Sequence, residues 1–154
     1  MTILGIDNGL KGCLAFYDGK ELMLYDMPVV SIKDRSVLDI HQIIHRLKMD
    51  VPSHVFIEKT TPMPKVSGLT GYSMGHSEGI FEGILAALEI PYTLIRPAIW
   101  KKTMGCPADK DAARMRASQL LPSQSHQWPL KKHDGRAESA LIALYGFNKT
   151  PASS

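Results

Sequence analysis

The chain opens on a short apolar run, Thr2 to Ile6, that ends on Asp7 and breaks at Asn8-Gly9. A second run, Cys13 to Tyr17, follows Gly12, and a third, Glu21 to Tyr25, follows the turn pair Asp18-Gly19. Runs of strand length separated by tight turns predict an antiparallel meander with its first strand near the centre of the sheet. The period then changes. Val37, Ile40, Ile43, Ile44 and Leu47 recur on one helix face, with Ser36 and Asp39 as an acidic capping box ahead and Pro52 beyond the end. His54 to Glu58 reads as a buried strand ending on a carboxylate, followed by a Pro-, Gly- and Ser-rich loop from Thr60 to Tyr72. A loop of that length in so small a domain is usually functional. A helix from Ser73 to Leu88 comes next, with Gly75, Gly79 and Gly83 four apart on one face. Pro91 ends it; then come a strand at Tyr92 to Ile95, a short helix near Trp100, a helix from Asp109 to Leu121 and a last helix from Asp134 to Tyr145.

That order is α/β: a mixed five-stranded sheet flanked by helices, its first three strands antiparallel and its first, fourth and fifth parallel through right-handed crossovers. With 154 residues, 44% of them hydrophobic, the chain has material for one core. The expected organisation is one domain over residues 1–147 and a short flexible tail over 148–154. No apolar run approaches the roughly 18 residues of a membrane span, so a membrane protein is excluded at this stage. The start carries no signal-peptide pattern, which predicts a cytoplasmic chain. Cys13 and Cys106 lack CxxC spacing or a companion His cluster, so they read as reduced thiols rather than a zinc site or disulfide. A net charge of +3 permits a polyanionic partner without demanding one.

The chemistry lies in four acids. Asp7 and Glu58 each end an apolar strand, where an uncompensated carboxylate costs several kcal/mol. In an α/β sheet the carboxyl ends of neighbouring parallel strands gather ligands, and these two acids stand there. Asp134 and Glu138 share a face at the start of the last helix, and Ala137, Ala140 and Ala143 let that helix lie close to the sheet. Four oxygen-rich side chains without a thiolate imply Mg²⁺ or Mn²⁺. Two such ions about 4 Å apart are the usual device for in-line phosphodiester cleavage, so the arrangement suggests a nuclease. The plainer alternative is that Asp7 starts a turn, Glu58 pairs with a lysine, and Asp134 and Glu138 favour the helix dipole.

Several stretches together resemble the RuvC family of Holliday-junction resolvases, small phage-type members in particular. They are Ile3-Leu4-Gly5-Ile6-Asp7-Asn8-Gly9, Phe56-Ile57-Glu58-Lys59, Met63-Pro64-Lys65 with the glycine helix, Ile90-Pro91, Arg96-Pro97-Ala98-Ile99-Trp100-Lys101-Lys102, and His133-Asp134-Gly135-Arg136-Ala137-Glu138. The resemblance covers nearly the whole chain and implies a ribonuclease H-like fold. It also implies an endodeoxyribonuclease of DNA recombination and repair that makes paired symmetric nicks in four-way junctions, leaving 5′-phosphate and 3′-hydroxyl ends. Asp7, Glu58, Asp134 and Glu138 would then be the catalytic metal ligands, for two Mg²⁺ ions with Mn²⁺ able to substitute. Two cuts of like polarity require a C2 homodimer. The expected setting is the cytoplasm of a bacterial or phage-infected cell.

The chain departs from the family pattern twice. In the family's last motif two acids, or a His and an acid, stand three apart; here Gly135 holds the first position, and either Asp134 or His133 can take its part. The family often has an aromatic soon after the second-strand acid, to stack on a base at the junction centre. Thr60, Thr61 and Pro62 stand here instead, leaving Tyr72 or Met63 for that role.

Lys11, Lys59, Lys65, Lys101, Lys102, Lys131, Lys132 and Arg136 fall near loops and helix starts expected to ring the acids, where they can hold DNA phosphates or stand as ordinary surface residues. His41 and His45 lack a third ligand and read as exposed, Glu78 and Glu82 as surface, Trp100 and Trp128 as packing, and Phe16, Phe56 and Phe81 as core. Three readings compete with junction resolution: a less selective flap nuclease or ribonuclease of the same fold, a branched-DNA-binding protein without activity, and an actin-like phosphate loop at Asp7-Asn8-Gly9. The last needs a second domain that this length does not supply.

Overall fold

β1 (Ile3–Asp7) is apolar up to its final aspartate and is buried from Ile3 to Ile6 at the centre of a five-stranded sheet. The computed structural model describes residues 1–152, Lys110 by its backbone alone. β2 (Cys13–Tyr17) pairs antiparallel with β1, and β3 (Leu22–Asp26) antiparallel with β2. On the other side of β1, β6 (His54–Glu58) runs parallel to it and β7 (Tyr92–Ile95) parallel to β6. The order is β3-β2-β1-β6-β7, the mixed sheet expected from the strand pattern.

Alternation along the strands divides the interior in two. Ile3, Ala15, Tyr17 and Phe56 face α3 (Pro97–Met104), α4 (Lys110–Leu120) and α5 (Asp134–Lys149). Leu4, Ile6, Leu14, Phe16, Val55 and Ile57 face α1 (Ile40–Met49) and α2 (Gly68–Ala87). Phe16, Phe56, Phe81, Trp100 and Trp128 are buried as expected. His41 and His45 are exposed on α1.

Three elements differ from the sequence pattern. A separate hairpin of β4 (Val29–Ile32) and β5 (Arg35–Leu38) precedes α1, so Ser36 and Val37 lie in a strand rather than at a helix start. Its turn residues Lys33 and Asp34 have φ of 49° and 63°, a tight turn made without the Asn-Gly or Asp-Gly pair that normally signals one. Asp39 alone caps α1, accepting from the Gln42 N–H at 3.1 Å. α2 begins at Gly68 rather than Ser73, because Ser67 caps it through the Thr70 N–H at 3.2 Å. α5 continues past Tyr145 to Lys149, which takes Asn148 and Lys149 out of the expected tail; residues 153 and 154 lie outside the described residues. Among the described residues no helix is long and apolar enough to cross a membrane.

Candidate active site

The carboxyl ends of β1 and β6 lie side by side and carry Asp7 and Glu58. α5 crosses the sheet against β1 so closely that a Cβ at Gly5 would stand 2.5 Å from the Ser139 carbonyl oxygen. Ser139, fully buried, fixes the register: its Oγ accepts from the Asp7 N–H at 3.2 Å and donates to the Cys13 carbonyl at 2.8 Å. Glu138 adjoins that clamp, and it is the strongest charged neighbour of Asp7.

Asp7 feels all three other acids. Burial first, then Glu138 and Glu58, and last Asp134, push its carboxyl up to about 7 from 3.8, opposed by a hydrogen bond from the Gly9 N–H. Glu58 is also raised by burial, but the Trp100 indole Nε1–H donates to its Oε2 at 2.7 Å and the Lys101 charge helps; both favour ionisation. Asn8 Nδ2 donates to the Glu58 carbonyl at 3.1 Å, tying the turn after β1 to the end of β6.

The sequence left Asp134 and His133 as alternatives. Asp134 acts on Asp7 and accepts from the Gly135 N–H at 3.0 Å. His133 lies against Arg136, Lys132 and Asp26, and its Nδ1 accepts from the Leu130 N–H at 3.1 Å. Burial and then those cations lower its pKa, and the acid that chiefly opposes them is Asp26. Gly135 has a steric reason: a Cβ there would stand 2.6 Å from the Lys11 carbonyl oxygen, so the position at which the family pattern has an acid or histidine cannot carry one on this backbone.

The donor chemistry fits a hard divalent cation: oxygen ligands only, crowded negative charge, and proton affinity on Asp7 raised toward neutrality. Yet among the described residues no three His, Cys, Asp or Glu side chains are gathered as a metal-ion ligand set. Glu138, Glu58 and Asp134 are each near enough to act on the Asp7 charge. Glu58 is turned to Trp100, and Asp134 to the start of its own helix.

Of the basic residues, Lys11, Lys59, Lys65, Lys102, Lys131 and Lys132 are exposed, and Lys101 is half-buried with Nζ 5.5 Å from the Trp100 ring centre. Arg136 is not a free rim cation. Its Nε and Nη2 each lie 2.8 Å from the Asp26 carboxylate, and its Nη1 donates to the Gln127 carbonyl at 3.0 Å. Tyr72 and Met63 are both exposed, Tyr72 on α2 with its ring stacked on His76. Glu78 is not a plain surface acid either: it is half-buried and accepts from the Thr60 N–H at 2.9 Å, pinning the start of the loop after Glu58. Glu82 accepts from the Tyr92 hydroxyl at 3.3 Å.

Trp100 was expected only to pack, and the indole N–H is the signal that it can also orient a neighbouring acid. Trp100→Phe keeps the ring and removes the donor. A hydrogen bond to a charged group is worth about 1.5–3 kcal/mol, so the pKa of Glu58 rises. If Glu58 must be ionised for activity, the acid limb of a rate profile moves to higher pH, with about tenfold loss at pH values on that limb. An unchanged profile would remove Trp100 from any role beyond packing.

The sheet order and the helix crossing it give the chain a RuvC-like fold. RuvC of Thermus thermophilus in complex with a Holliday junction substrate superposes with a TM-score of 0.65 at 15% identity, covering 94% of this chain and 92% of that one. Another structure of T. thermophilus RuvC gives 0.61 at 17% identity over the same shares. The yeast mitochondrial Holliday junction resolvase Ydc2 gives 0.57 at 17% identity, over 93% of this chain and 76% of its own. No protein-family model matches the sequence, and no curated protein does.

Proposed function

We propose that the chain is a divalent-metal-dependent endonuclease that resolves four-way DNA junctions by paired symmetric nicks, leaving 5′-phosphate and 3′-hydroxyl ends. The observation that carries this reading is the electrostatic action of Glu138, Glu58 and Asp134 on Asp7 at the carboxyl end of β1, which with burial raises Asp7 to about 7. These four would hold Mg²⁺ or Mn²⁺, which supplies a water of lowered pKa and a charge for the departing oxygen. Trp100 and Asn8 orient Glu58 and its strand, and Ser139 keeps Glu138 in place. The free lysines around this end bind phosphates, and the resolved junctions belong to recombination and repair.

The two cuts need two sites related by a dyad, so the working form is a C2 homodimer. The test is cleavage of a labelled four-way junction beside matched linear duplex, in Mg²⁺, Mn²⁺ or chelator, with the oligomeric state measured in parallel. Paired, metal-dependent nicks confined to the junction are expected. Equal cutting of duplex or single strands would replace this reading with a general nuclease, and tight junction binding without cutting would replace it with a binding protein.

A further inference from the structure

The β4–β5 hairpin stands outside the main sheet and exposes Val29, Val30 and Ile32. An isolated two-stranded ribbon contributes little stability of its own, so its use is sought in what it faces. Between it and the N-terminal half of α2 lies a depression of about 280 Å³, bordered by Lys33, Arg35 and Ser36 from the hairpin and Tyr72, Ser73 and His76 from the helix. A second, of about 530 Å³, shares Arg35 and Ser73 with the first and extends to Gly9 and Lys11, in the turn that leaves Asp7. A third, of about 250 Å³, shares Lys11 with the second and reaches Lys132 at the start of α5.

The charges on this track have one sign. Among the described residues no acid lines the first two depressions, and Asp26 in the third is held by Arg136. Asp34, at the hairpin tip, lines none of the three. Four cations, Lys33, Arg35, Lys11 and Lys132, therefore follow one another past the carboxylate end of β1. Tyr72 is 64% exposed, and its ring lies 5.6 Å from His76 at 20°, stacked and held flat beside the track. A row of cations beside an exposed aromatic ring is the chemistry that binds a strand with unstacked bases; duplex phosphates alone would make no use of the ring.

We propose that the β4–β5 hairpin and α2 together seat a single DNA strand that enters or leaves the carboxylate site, with Lys33, Arg35 and Lys11 on its phosphates and Tyr72 against one base. This rests on the nuclease reading and adds a binding element to it. The hairpin holds strand that has left the duplex, which favours branched over linear DNA.

The test uses the whole chain in chelator and reads anisotropy of a labelled four-way junction, a linear duplex and a single strand as salt is varied. Lys33→Asn with Arg35→Ala removes two charges at exposed positions, and Asn tolerates the positive φ at residue 33. The double variant should bind the junction about tenfold more weakly and lower the salt slope by about 1.4, the share of two phosphate contacts on an unpaired strand. Tyr72→Ala should also cost about tenfold, with Tyr72→Phe close to wild type. A 2-aminopurine beside the crossover should be quenched by wild type and Tyr72→Phe, and not by Tyr72→Ala. If wild type binds the junction and the double variant matches it in affinity and slope, the hairpin seat is overturned while the nuclease reading stands. A wild-type chain that binds no branched DNA fails both.

Discussion

Asp7→Asn should abolish junction cleavage, by about 10³-fold or more, and leave junction binding intact. The amide keeps the shape of the carboxylate and removes its charge, so a ligand is lost without a cavity. The same variant should be more stable than wild type in chelator at alkaline pH. Asp7 has its folded pKa raised from 3.8 to about 7. A group shifted upward holds its proton more firmly in the folded chain, so its contribution is fully present below the unfolded value and is lost as pH rises through the folded one. Above pH 7 the wild-type chain carries an ionised acid among three others, at a cost of about 2–4 kcal/mol.

Asparagine escapes that cost. Melting curves in chelator should diverge between about pH 4 and pH 7 and stay apart above it, with the variant higher by about 5–10 °C at pH 8. Mg²⁺ should narrow the gap by stabilising wild type alone. A variant that still cuts removes Asp7 from the chemistry. Equal melting at pH 8 would instead mean that the four acids are not crowded in solution, and the account of why they would take a cation would fail with it.

How far these acids could be found without coordinates depends on the kind of signal each carries. Asp7 and Glu58 were visible because a carboxylate that ends an apolar strand contradicts its surroundings. Glu138 was visible because a small-residue helix can approach a sheet. Ser139 gave no signal: a serine inside an apolar helix reads as tolerated, and its clamp on Asp7 and Cys13 spans more than 120 residues of chain. The Arg136–Asp26 ion pair gave no signal either, since a cation next to the motif has the same pattern whether or not it also meets an acid of β3.

The strands of the main sheet followed their hydrophobic runs closely, because burial on both faces leaves little freedom of register. The β4–β5 hairpin did not, since Lys33 and Asp34 make a left-handed turn without the residues that favour one. The start of α2 was hidden in a different way. Gly68, Thr70 and Gly71 are poor helix formers, and the Ser67 cap together with packing further along the helix overrides them. Both the hairpin and the start of α2 border the proposed strand seat.

Gly5→Ala should be severely damaging for a single added methyl. Gly5 lies in the central strand, and its missing side chain is the space in which α5 rests. A Cβ there would meet the Ser139 carbonyl oxygen at 2.5 Å and the Ala143 Cα at 2.8 Å, both helix backbone, which cannot turn aside as a side-chain end can. The helix must therefore move away from the sheet, and the Ser139 hydrogen bonds to Asp7 and Cys13 stretch with it. Overpacking a core costs about 1–3 kcal/mol when side chains can give way, and a backbone collision should stand at or above the top of that range. The same movement carries Glu138 off Asp7, so activity should fall further than stability at temperatures where the variant is still folded. Denaturant melts and junction cleavage measured together separate the two effects. A variant that loses less than about 1 kcal/mol and still cuts would show that α5 need not lie against β1 to present its acids.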